Sequence, residues 1–222
     1  MNKEILISGC SFSQSQLDKE CGWIPYSDLM INDFNEYTIN NLAIESRGNG
    51  YIVDSIVNHI EHSLIKPSFI ILQLSAFTRF MHHDMSNTFK SGQVYNDLFE
   101  YIYTSDYADV THVQRLDNQI YLTNFVKIKM VCEYLKNTNI PHLIFFGWSQ
   151  LKDSIKWQKS FKQIINNNTN FWSYNDFDGM LEFGIDNYGK KAMISKSDIH
   201  PTSIVHQLFY DKVVKPKILN EI

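Results

Sequence analysis

Three stretches of this chain are apolar without alternation: Ile5-Leu6-Ile7, Phe69-Ile70-Ile71-Leu72-Gln73-Leu74 and His142-Leu143-Ile144-Phe145-Phe146. A continuous aliphatic run bounded by turn signals suits a strand covered on both faces, which is the habit of parallel sheets. Gly9 closes the first run and Gly147 the third, while Pro67 and Pro141 precede the second and third. Glu36 to Ile39 adds a short β-prone piece. Between these stretches the apolar positions change to helical spacing. Tyr26, Leu29 and Met30 share one face, as do Tyr51, Ile52, Ile56, Val57 and Ile60, and then Phe125, Ile128, Val131, Cys132 and Leu135 within 120–135. Ile204 to Ile218 is helical again, with a stop expected around Pro216. Strands alternating with helices of this length predict an α/β domain built on a parallel sheet with helices on both faces.

Composition narrows the class without naming a function. The 222 residues are 44% hydrophobic and 20% charged, as in an ordinary globular protein, and nothing along the chain shifts enough to divide 1–222 into two domains. A net charge of -4, with no local run of lysine and arginine, argues against a nucleic-acid partner. No apolar span approaches membrane length, and Met1-Asn2-Lys3-Glu4 runs into the first strand without the features of a secretory signal, so no membrane partner is expected. Three cysteines, Cys10, Cys21 and Cys132, suit free thiols in a reducing compartment better than a disulfide framework. The expected location is cytoplasmic.

Parallel sheets place their sites at the carboxyl ends of the strands, so the residues just after each strand carry the functional information. After the first run comes Gly9-Cys10-Ser11, where a glycine permits a sharp turn and presents Ser11 at the sheet edge. Taken alone, the stretch favours Ser11 and Ser13 as caps of a following helix. After the second piece comes Asn41 to Gly50, and after the third Gln73-Leu74-Ser75-Ala76-Phe77-Thr78-Arg79. Far downstream, Ser197-Asp198-Ile199-His200-Pro201 precedes the last helix. A serine at one end and an Asp-x-His-Pro at the other supply nucleophile, base and orienting carboxylate, which acyl transfer needs together in space but not in sequence.

The order and spacing of these blocks resemble the SGNH subgroup of the GDSL esterase/lipase family. Gly9-Cys10-Ser11 matches the family's Gly-Asp-Ser block, implying Ser11 as nucleophile, and Asp198, His200 and Pro201 match its last block, implying His200 as base and Asp198 as its orienting partner. The resemblance implies a three-layer α/β/α sandwich with a mostly parallel, flavodoxin-like central sheet, in one domain carrying an aromatic and acidic insertion at about 82–118. It also implies an oxyanion site from the second and third blocks. The family's second-block glycine aligns with Ser46, with Gly48 as the alternative register, and Asn49 follows. The third-block asparagine falls near Ser75, and Arg79, four residues on, could supply charge instead. Two further departures are Cys10 in place of the family's aspartate and an Asp-to-His spacing of two rather than three. The implied activity is hydrolysis of a small acyl ester, carbohydrate O-acetyl groups included, through a Ser-His-Asp triad and an acyl-enzyme without a cofactor. The alternatives are acyl transfer on the same triad and a non-catalytic binding module that keeps the fold. Substrates would be small-molecule or carbohydrate acyl esters, and the oligomeric state is not readable.

Other constellations read more plainly. His59 and His62 lie three apart on a helix and His82-His83-Asp84 follows the third strand, but no companion ligand motif accompanies them, so no metal is expected. His206 reads as a helix residue near the site. Tyr95, Phe99, Tyr103 and Tyr107 fall at helical steps among Asp97, Glu100, Asp106 and Asp109, which suits an amphipathic helix better than a lid over the site. Trp148, Trp157 and Trp172 are read as packing residues.

Overall fold

The structure, a computed structural model, describes residues 3–16, 23–77, 79–83, 89–93, 110–149, 155–196 and 198–222, with backbone alone for 79–83, 89–93, 110–120, 155 and 156. Strand β1 (Lys3–Ser8) leads through α1 (Tyr26–Asp33) to β2 (Tyr37–Asn41), and α2 (Asn49–His62) carries the chain back to β3 (Phe69–Leu74). Among the described residues the central sheet has five strands in the order β2-β1-β3-β6-β7, all parallel, with β6 at His142–Phe146 and β7 at Phe171–Trp172. The order reverses beside β1: β2 adds on one side and β3 on the other. That reversal opens a crevice at the carboxyl ends of β1 and β3.

The uninterrupted apolar runs have the expected cause. Leu6, Ile70, Leu72, Leu74, Ile144 and Phe146 point to one face, where α2, α3 (Val110–Thr138) and α4 (Ile155–Asn166) cover them with Ile52, Ile56, Ile128, Leu135 and Phe161. Ile5, Ile7, Phe69, Ile71, Leu143 and Phe145 point to the other. There α1, α5 (Met180–Tyr188) and α6 (Ser203–Phe209) supply Tyr26, Met30, Met180, Leu181, Val205 and Phe209. Each such side chain leaves water completely or nearly so, and full burial of one contributes about 1.5–3 kcal/mol. The architecture is therefore three layers around an all-parallel sheet.

Several elements differ from the sequence reading. The helix expected over 120–135 runs from Val110 to Thr138, so the end of the 82–118 stretch is its first turns. An antiparallel hairpin, β4 (Arg79–His83) with β5 (Phe89–Gln93), lies before it. Tyr95 to Asp109 and Cys21 lie outside the described residues. The carboxyl-terminal helix does not stop at Pro216: a π turn (Tyr210–Val214) follows α6, and α7 (Lys215–Leu219) continues beyond it. Lys215 N–H bonds five residues back to the Tyr210 carbonyl, and Pro216 then stands in the first turn of α7, where a missing N–H costs nothing. The sequence reading also passed over α4, α5 and β7. The last is two residues long, and α5 carries Gly184 in its interior, where a Cβ would come within 2.5 Å of the Val205 side chain of α6.

Candidate active site

Two amide side chains hold the turn after β1: Asn41, whose Nδ2 donates to the Ser13 carbonyl at 2.7 Å, and Gln73. Gln73 is fully buried on β3, and its Oε1 accepts the Cys10 N–H (3.2 Å) and the Ser13 hydroxyl (2.8 Å). Its Nε2 donates to Cys10 Sγ (3.1 Å) and to the Leu74 carbonyl (3.3 Å). Ser13 Oγ also bonds the Tyr26 hydroxyl at 2.6 Å. Burial raises the Tyr26 pKa well above the ordinary phenol value, so this hydroxyl is a neutral structural partner. Here the role of Gly9 differs from the expected one. Its φ is not positive, but a Cβ would lie 2.7 Å from Gln73 Oε1 and 2.8 Å from Ser13 Oγ, so the glycine makes room for the amide. Gly147, just past β6, does the same: a Cβ there would lie 2.5 Å from Gln73 Nε2.

Ser11 opens the turn, which the N–H groups of Ser13 and Gln14 close onto the Cys10 carbonyl (3.0 and 3.1 Å). Those bonds leave the Ser11 N–H outside the turn's own pairing. The serine is nearly buried, and its Oγ lies 2.8 Å from His200 Nε2. His200 Nδ1 lies 2.6 Å from Asp198 Oδ1, which also accepts the His200 backbone N–H (3.1 Å). Ser195 Oγ accepts the Asp198 N–H at 2.9 Å. The two-residue spacing therefore lets one carboxylate oxygen meet both the ring and the backbone of the histidine. His200 holds the Asp198 carboxyl below the ordinary aspartate range, chiefly through that hydrogen bond. With Nδ1–H donating to the Asp198 carboxylate, Nε2 is the lone-pair nitrogen facing Ser11.

Two aromatic rings lie against the imidazole. Phe12 approaches it at 5.5 Å between centroids, and Trp23 stacks on it at 5.4 Å with 22° between planes. Trp148 packs on Phe12 at 5.1 Å. Trp157 packs against Phe125 and Trp172 against Phe209. His206 is fully buried, and its Nδ1 accepts the Tyr26 N–H (3.3 Å) at the start of α1. Burial, with a smaller push from His200, lowers its pKa to about 3, so it stays neutral.

The second and third blocks meet at the same edge. Ser46 has φ 61, a left-handed conformation that ordinarily favours glycine, whereas Gly48 is extended at φ −89 as the N-cap of α2. Asn49 is fully buried and grips the Ser75 backbone in both directions. Its Oδ1 accepts the Ser75 N–H (2.7 Å), and its Nδ2 donates to the Ser75 carbonyl (3.1 Å). Ser75 itself is buried, and the Arg79 side chain lies outside the described residues.

Sequence reasoning did not single out Gln73 or Trp23. A polar residue inside an aliphatic strand was a readable signal for the first. Nothing local announced the second, whose contact spans the chain. His59 and His62 have ordinary partners: His59 pairs with Glu4 at 3.0 Å, and His62 bonds the Asn58 carbonyl. Among the described residues no group of three His, Cys, Asp or Glu could hold a metal, and no helix is long and apolar enough to cross a membrane.

The fold is similar to that of the psychrotrophic esterase EstA from Pseudoalteromonas sp., at TM-score 0.53 and 16% identity over 99% of this chain and 100% of that one. The chain carries the GDSL/SGNH esterase fold. TesA gives TM-score 0.54 at 13% identity, again over 99% and 100% of the two chains. A member of the lipolytic protein G-D-S-L family from Veillonella parvula gives 0.52 at 13%, over 96% and 97%. No protein-family model and no curated protein matches the sequence. At these identities the likeness is one of backbone, and within the GDSL/SGNH fold the chemistry rests on this chain's own side chains.

Proposed function

We propose that this protein is a serine hydrolase that cleaves small acyl esters, from small molecules or carbohydrates, through Ser11, His200 and Asp198. The observation that carries this reading is the 2.8 Å approach of Ser11 Oγ to His200 Nε2, across 189 residues of sequence, with Asp198 on the far nitrogen of the same ring. Ser11 Oγ attacks the ester carbonyl while His200 Nε2 takes its proton, and Asp198 holds the tautomer and faces the imidazolium. The C–O bond to the leaving alcohol then breaks as Nε2 returns the proton to it. Water, deprotonated by the same nitrogen, frees the acyl group and restores the serine.

The oxyanion forming between these steps needs N–H donors. The Ser11 N–H and the Ser46 N–H are the donors of this reading, the left-handed Ser46 occupying the place where the family has glycine. Asn49 and Ser75 act together in it, the amide fixing the third-block backbone at the rim of the site. EstA was captured inhibited by monoethylphosphonate, and a phosphonate is the direct probe here too. A fluorophosphonate is expected to label Ser11 alone, and Ser11→Ala is expected to lower turnover of short p-nitrophenyl esters at least about a thousandfold. Folded protein that is neither labelled nor active would overturn the reading. Adding an alcohol acceptor and assaying for a new ester tests transfer against hydrolysis.

A further inference from the structure

The base and its carboxylate sit nearer water than the serine does. The His200 side chain is 32% exposed and Asp198 42%, and both belong to one short loop. A carboxylate so close to solvent is a weak clamp, because water competes for it and screens its charge. An imidazole rotating about its Cβ–Cγ bond would lose the 2.8 Å approach to Ser11 together with the 2.6 Å contact to Asp198, and an exposed carboxylate does little to resist that. What covers the ring instead is aromatic: Phe12 is tilted at 60° to it, and the Trp23 indole lies nearly parallel to it.

Trp23 is brought there by a separate set of anchors. The next residue, Ile24, donates its N–H to Ser203 Oγ (2.9 Å), and Tyr26 donates its N–H to His206 Nδ1 (3.3 Å). Both acceptors lie on α6, which begins three residues after His200. The segment carrying the indole and the loop carrying the base are thus fastened to the same helix. An indole face also carries negative potential, so it favours the ring most in its imidazolium form.

We infer that Trp23 is a positioning residue for the catalytic base, holding the His200 ring toward Ser11 and stabilising it as it takes the serine proton. The inference rests on the serine-hydrolase reading above for its kinetic consequence, but the stack itself can be observed without turnover. It concerns the charged state formed during reaction, so its loss slows the chemical step and leaves ester binding alone.

The test compares wild type with Trp23→Leu and Trp23→Phe in two measurements. In NMR of histidine-labelled protein, the His200 Hε1 resonance, assigned with His200→Gln, should be displaced by the indole ring current and should move in Trp23→Leu. In assays with a short p-nitrophenyl ester, Trp23→Leu should lose about three- to thirtyfold in kcat, the range of one cation–π contact, with KM within twofold. Trp23→Phe should recover most of that loss, which a variant with general damage to the fold would not do. An unmoved His200 resonance overturns the inference, and so does a Trp23→Leu kcat within twofold of wild type. A displaced resonance in a wild type that turns over no ester supports the stack and overturns the hydrolase reading instead.

Discussion

The two halves of the site are held in place by different physics. The serine stands on a turn tied to the buried Gln73 amide and to Asn41, with glycines just past two strands leaving Gln73 room. The histidine stands on a loop open to water, paired to a neighbour two residues away and faced by aromatic rings. Buried hydrogen bonds are costly to break because the abandoned group has no water to turn to, whereas exposed pairs are nearly exchangeable with solvent. Damage to the serine side should therefore appear as lost stability, and damage to the base side as altered reactivity in a folded protein.

The largest stability effect belongs to Gln73. Gln73→Leu keeps the strand apolar but removes the acceptor of the Cys10 N–H and one of the two partners of the Ser13 hydroxyl, at an expected cost of about 3 kcal/mol in urea unfolding. A loss under about 1 kcal/mol would mean the turn holds itself, and the contrast between the halves would fail.

Next comes His206, which ties α1 to α6 behind the base. Its native pKa of about 3 lies below the ordinary histidine value of 6.5. Between these values the unfolded chain binds a proton that the native protein does not, so stability rises with pH through this window. The contribution is complete above about pH 6.5 and is lost as the solution is acidified. At pH 4.5 the loss amounts to roughly 2–3 kcal/mol, at about 1.4 kcal/mol per pH unit. His206→Asn retains an acceptor for the Tyr26 N–H but cannot titrate. Its unfolding free energy should fall less between pH 7 and 4.5 than the wild type's, by about that amount. Parallel pH profiles for the two proteins would show that His206 is protonated in the native state.

The same division explains what could be read from the chain. Ser11, Asp198 and His200 could be grouped from the sequence because their blocks match the family's in order, and the fold does bring the three side chains within hydrogen-bond distance. The sheet was legible because Ile5–Ile7, 69–74 and 142–146 are covered on both faces and show it as unbroken apolar runs. Gly9 was assigned correctly as a turn glycine but for a different reason, since the space it leaves is needed by a side chain 64 residues away. Trp23 was not legible at all. Its place depends on hydrogen bonds from Ile24 and Tyr26 to α6, near the other end of the chain, and no local pattern encodes that. Pro216 misled because a proline stops a regular helix, while the π turn before it shifts the hydrogen-bond register so that the helix resumes.

A smaller effect is expected at Ser46, on the serine side but at its rim. Its φ of 61 places a side chain in the left-handed region, which costs a residue with a Cβ about 1–2 kcal/mol. Ser46→Gly removes that strain but adds backbone freedom to the unfolded chain, at about 0.5–1 kcal/mol, so a net gain of about 0.5 kcal/mol is expected. Ser46→Val, branched at Cβ, should instead lose 1 kcal/mol or more. Because a glycine keeps the N–H, ester turnover should survive in the first variant. Equal stability in all three proteins would show that the loop relaxes without the left-handed turn.

The smallest stability effect should come from the exposed pair on which the proposed chemistry depends. Asp198→Asn removes a carboxylate that is 42% exposed and whose charge is screened by water, so unfolding free energy at pH 7 should change by no more than about 0.5 kcal/mol. Ester turnover should nevertheless fall steeply, because an amide no longer fixes the Nδ1 proton or faces the imidazolium. The lowered Asp198 pKa gives the sign of the remaining pH effect: the pair contributes above the ordinary carboxylate range and loses that contribution as pH falls through the native pKa. A stability loss as large as that of Gln73→Leu would mean that the base loop is built like the serine turn. The aromatic contacts would then be redundant, and the two halves of the site would no longer teach different lessons.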